Sequence, residues 1–169
     1  MPAPDQLFDL RAAITAHLTG HANLPELVAG NVILGDSQET PEDFDVRRKL
    51  AIGKARHKLG IVLYEGVLSN ESNDGSLDLN SQHLIEFYRS PQRSSPRAAN
   101  NVRSSEQIIL DLVRSLHGYR PANAQHCDLD LRFVSAVPLA DPHYESWLLT
   151  FNAAIDLTED DYDRTLTPA

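Results

Sequence analysis

Residues 104–118 leave this chain few structural choices. Ser104-Ser105-Glu106-Gln107 reads as a capping box, in which the Ser104 hydroxyl satisfies the Gln107 amide and the Gln107 side chain reaches back. Ile108, Ile109, Leu112, Val113 and Leu116 follow at helical spacing. The pattern predicts a helix over Ser104–His117 with Ile109 and Leu112 buried, and Asp111 and Ser115 on the surface. Arg114 and His117 stand where the helix dipole favours cations. Gly118 offers the left-handed position beyond the end, and Pro121 forbids resumption.

Two strands follow. Asp128–Val137 sets Leu129, Leu131, Phe133 and Val137 against Asp128, Asp130 and Arg132. Ser146–Leu157 places Trp147, Leu149, Phe151, Ala153, Ile155 and Leu157 on one face. Its other face, mostly polar, is free for water or a partner.

Earlier in the chain, Asp5–Leu18 reads as a helix with Leu7, Leu10, Ile14 and Leu18 along one side. His17 and His21 are four apart, but Gly20 between them spoils a shared helical face for metal. Asn31–Gly35 predicts a brief strand. Thr40-Pro41-Glu42-Asp43 starts a second helix, expected to run to about Leu59 with Phe44, Leu50, Ala51 and Ala55 inward. Its arginines and lysines read as a solvated face, and Gly53-Lys54 fails as a phosphate loop because no Ser or Thr follows the lysine. Gly60–Asn70 and His83–Arg89, separated by turn residues around Asn73-Asp74-Gly75, predict a long antiparallel hairpin.

Residues 90–103 break the pattern. Ser-Pro-Gln-Arg-Ser-Ser-Pro-Arg has almost nothing apolar with which to pack a core. Between Phe87 and Ser105 stand Arg89, Arg93, Arg97 and Arg103 without an acid, in a chain of net charge −9. Two readings remain open: a solubilising mobile loop, or a contact arm that orders against an acidic or phosphate surface. In the second reading these four arginines are the partner-binding residues.

With 169 residues, 41% hydrophobic and 23% charged, the chain suits one soluble domain over 1–157 and an acidic, frayed tail over 158–169. The acidic balance argues against a generic nucleic-acid-coating protein. No apolar run approaches a membrane span, and the start lacks a signal peptide's basic and apolar regions, so cytosolic synthesis is expected. Cys127, alone, has no partner for an intrachain disulfide. His126, Cys127 and Asp128 are the best material for a small hydrolase or metal enzyme, yet no ligand spacing or catalytic signature accompanies them. No catalytic residue, metal or cofactor is predicted.

The order of elements resembles the tail terminator (tail completion) proteins of long-tailed bacteriophages, lambda-like and Mu-like. The resemblance rests on Leu10-Arg-Ala-Ala-Ile14, Ile61–Ser69 with Leu84–Pro91, Gln107-Ile-Ile-Leu-Asp-Leu-Val-Arg-Ser-Leu-His-Gly118, and Leu148-Leu-Thr-Phe-Asn-Ala-Ala-Ile-Asp156. It implies a single α+β domain, a largely antiparallel sheet with helices packed on it. It further implies a non-enzymatic virion protein, assembled as a homo-hexameric ring at the head-proximal end of the tail. That ring would end tube polymerisation and offer a surface to the head–tail connector protein, and genomic DNA would pass through it without specific binding. The implied partners are further copies, the tail tube protein and the connector, with no membrane. Another head–tail joining (neck) protein is the neighbouring alternative.

Overall fold

The structure, a computed structural model, describes residues 11–28, 32–35, 39–55, 57–64, 66–74, 79–91, 103–120 and 130–155. Among these, three α-helices pack on a six-stranded sheet: α1 (Arg11–Thr19), β1 (Ile33–Gly35), α2 (Pro41–Lys54), β2 (Leu59–Leu63), β3 (Val67–Asn70), β4 (Leu79–Arg89), α3 (Ser105–Leu116), β5 (Arg132–Leu139) and β6 (Glu145–Ile155). The fold class is α+β, as expected. Strand order is β1-β2-β4-β6-β5, with β3 also on β4. Every pairing is antiparallel except β1 with β2, the two strands that α2 connects.

The capping box at α3 forms in both directions: Ser104 Oγ accepts from the Gln107 amide, and Gln107 Oε1 accepts from the Ser104 amide. Gly118 takes φ +80, the left-handed conformation foreseen for it. Ile108, Ile109, Leu112 and Leu116 join Ile14 and Leu18 of α1 over the inner sheet face, where Ile61, Ile85, Phe87, Leu149 and Phe151 complete the main core. Ser115, expected at the surface, is buried, and its hydroxyl donates to the Leu112 carbonyl. Asp111 is likewise engaged, by Arg103 and Arg114.

Helix α2 covers part of the opposite, outer face. There Ala51, Ile52 and Phe44 meet Leu34, Val62, Tyr88 and Tyr144. Its start is as the sequence predicts, with Thr40 Oγ1 accepting from the Asp43 amide and Pro41 in the first turn. Its end is not. The helix stops at Lys54 rather than near Leu59, because Leu59 is fully buried in β2 and Ala55 already has extended backbone. Leu50, expected inward, is 61% exposed; Ala51 and Ile52 take the buried positions.

Two single-residue irregularities shape the sheet. From Leu63↔Ile85 to Val67↔Gln82 one strand advances four residues and its partner three, so 60–70 forms two strands, not one. Gly66 lies at that break, where a Cβ would come within 2.8 Å of the His83 ring. The second bulge lies between Phe133 and Ser135 and reverses the alternation beyond it. Ala136 therefore turns to the core, while Val137, expected inward, is exposed. In β6 the inward set Trp147, Leu149, Phe151 and Ala153 is as predicted; residues 156–157 lie outside the described residues, as does the tail 158–169.

Candidate assembly surface

Among the described residues, the outer sheet face divides into a part that α2 covers and a part left open. On the covered part, the Arg48 guanidinium lies 4.6 Å from the Tyr88 ring centroid and 4.9 Å from that of Tyr144. It also donates to Glu86 Oε1 at 2.7 Å, and the Tyr64 hydroxyl donates to Glu86 Oε2 at 2.7 Å. Arg48 was expected on a solvated face, but its side chain is nearly as buried as that of Glu86. Burial raises the Tyr88 hydroxyl to a pKa of about 12, against the opposing pull of Arg48. Gly60 makes room for that ring: a Cβ there would come within 2.5 Å of Tyr88 Cζ. The sequence held one clue to this cluster, an acid at Glu86 inside the apolar run Leu84–Tyr88.

The open part carries polar and apolar side chains in cross-strand rows. Val67, Gln82, Asn152 and Arg132 form one row; Leu84, Thr150 and Ser135 form the next. Val137 and Leu139 extend the open surface along β5. At one end Glu71, Asn80, Asp130, Arg132 and Asn152 line an open cavity of about 380 Å³. Asp130 Oδ1 and Asn152 Oδ1 accept no hydrogen bond from the described residues. Among the described residues β5 is the edge strand on this side, and its bulge and Pro138, which lacks an N–H, blunt that edge against strand addition.

Of the four arginines expected to face a partner, Arg93 and Arg97 lie outside the described residues. The other two work within the subunit. Arg89 is buried and donates to the Arg103 carbonyl and to Ser105 Oγ. Arg103 clasps Glu26 with two donors (2.8 and 2.7 Å), reaches Asp111, and donates to the Asn23 carbonyl. Burial opposes ionisation of Glu26, yet the Arg103 hydrogen bonds outweigh it and hold the carboxyl below its ordinary pKa.

His17 is also committed: Nε2 donates to the Ser115 carbonyl at 2.8 Å, and the ring stacks on Tyr119. His83 and Ser81 form a buried pair, Oγ to Nε2 2.8 Å, and burial lowers the His83 pKa to about 4. His126, Cys127 and Asp128 lie outside the described residues. Among the described residues no three His, Cys, Asp or Glu side chains gather as a metal site, and no helix is long and apolar enough to cross a membrane.

No protein-family model matches the chain, and no curated protein matches it. Among solved structures, a chain from the virion of a native gene transfer agent (GTA) particle superposes with a TM-score of 0.56. The two share a fold. At 15% identity the match covers 92% of this chain and 98% of the virion chain, so the likeness spans nearly the whole of both.

Proposed function

We propose that this chain is a non-enzymatic structural protein of a phage-like virion, a ring-forming subunit that caps the head-proximal end of a tail tube. The observation that carries the reading is the fold held in common with a virion chain over almost the full length of each. The sheet supports it, because part of its outer face, with Val67, Val137 and Leu139 exposed, has no covering helix among the described residues. In this role the subunit meets further copies, the tube protein and the head-side connector. Arg93 and Arg97 supply the partner contacts of their segment, since Arg89 and Arg103 are spent inside the subunit. The net charge of −9 suits a ring through which DNA passes without being gripped.

Polymerising the tube protein with and without this chain tests the proposal, with tube lengths and ends read by electron microscopy. Substoichiometric chain is expected to halt growth and to sit at one end. Unaltered tubes together with binding to the connector would make it a neck protein instead. Unaltered tubes without connector binding would remove the reading.

A further inference from the structure

We infer that copies of this chain join head to tail, the exposed face of α2 on one copy seating on the open part of the outer sheet face of the next. The inference rests on the ring reading above and names its interface.

Helix α2 has two sides. Ala51 and Ile52 face the subunit's own sheet, while Val46 and Leu50, one turn apart, are 55% and 61% exposed. Such a pair on a solvent face is an apolar stripe that no other described residue of the subunit covers. Lys54 flanks it, Lys58 lies just past the helix end, and Lys49 is already paired with Asp45 at 2.7 Å. Lys54 makes no ion pair among the described residues, and Lys58 is exposed with Nζ donating to the Gly53 carbonyl. The C-terminal half of α2 is therefore apolar and cationic.

The open sheet part has the complementary character. Val67 shares a cross-strand row with Asn152 and Arg132 of the cavity lining, Val137 and Leu139 supply apolar surface farther along β5, and the cavity sets the carboxylates of Glu71 and Asp130 against one cation, Arg132. In a chain of net charge −9 two copies repel at random orientation, so a stable contact must bring local opposite charges together. The second copy's α2 end satisfies that condition. Because the bulge and Pro138 guard the β5 edge, the contact is made by side chains across the face rather than by a continued sheet. One copy gives its helix and the other its sheet, which makes the contact heterologous, the kind that builds a ring when its rotation closes.

The test uses full-length chains and native mass spectrometry. Leu50→Asp disables the helix face and Val137→Asp the sheet face; both positions are solvent-exposed, and circular dichroism checks each fold. Wild type is expected to form rings, and each variant alone to fall to monomer with at least a tenfold weaker association. Mixed, the two variants should give a 1:1 dimer and stop, because one intact helix still meets one intact sheet face. Lys54→Glu should weaken the ring, and adding Asp130→Lys should restore it. Rings that persist in both Asp variants, or a mixture that stays monomeric, would overturn this interface while leaving ring formation standing. A monomeric wild type, even with the tube protein present, would instead remove the ring reading on which the inference depends.

Discussion

At the scale of single residues, the buried pair of Arg48 and Glu86 gives the sharpest expectation. Arg48→Met removes the cation and leaves Glu86 charged under α2, which should cost about 3–5 kcal/mol. The double variant Arg48→Met with Glu86→Leu should lose much less than the sum of the single changes, as read in urea unfolding. Equal additivity would mean that the pair is not coupled. The sequence showed only half of this site: an acid inside an apolar strand announces a buried partner, but its arginine lies 38 residues away. Pairing at that separation is set by how α2 lies on the sheet, which no local pattern encodes. Nearby, Gly60→Ala should cost about 1–3 kcal/mol by forcing a methyl against Tyr88. His83 makes stability depend on pH. Its folded pKa of about 4 lies below the ordinary 6.5, so the unfolded chain binds more protons between those values. Stability should fall by on the order of 3 kcal/mol as pH drops from 6.5 to 4. Glu26, with its carboxyl held low, adds a loss of the same sign further into acid. Replacing His83 by Gln should flatten the upper part of that profile in thermal melts, and an unchanged slope would exclude His83 as its source.

At the scale of elements, α3 was the most legible. Its cap, stripe and terminating glycine all act within one or two turns, so the sequence carries them in full. Ile109→Ala or Leu112→Ala should cost roughly 2–5 kcal/mol, and Ser104→Ala about 1 kcal/mol. Leu110→Ala, on the exposed side, should stay within about 0.5 kcal/mol in the same denaturation series. Strand β5 was legible only to Phe133. The extra residue at Val134 is decided by how β5 pairs with β6, and from there each inward position moves by one. The end of α2 was misplaced for a related reason: Leu59 continues a helical spacing but gains more from complete burial in β2. The arginine pattern of 89–103 looked uniform in sequence. It separates once Arg89 and Arg103 are seen to be consumed by backbone carbonyls, a serine and two carboxylates of their own subunit.

At the scale of the whole molecule, the proposed ring covers surface that the described residues of one subunit leave open. Among the described residues, one sheet face is covered by α1 and α3, and the other is covered only where α2 lies. The individual helices and strands were readable from the spacing of apolar residues and the fold class followed from the resemblance, whereas the open surface was not readable, because it depends on where α2 ends and on which side of the bulge Val137 falls. The central claim, that the chain works as a closed assembly of identical copies, is tested most directly by its mass in solution. Light scattering across a wide concentration range, with and without the tube protein, should give one fixed multiple of 18.8 kDa. A mass that stays at 18.8 kDa in every condition would contradict the account.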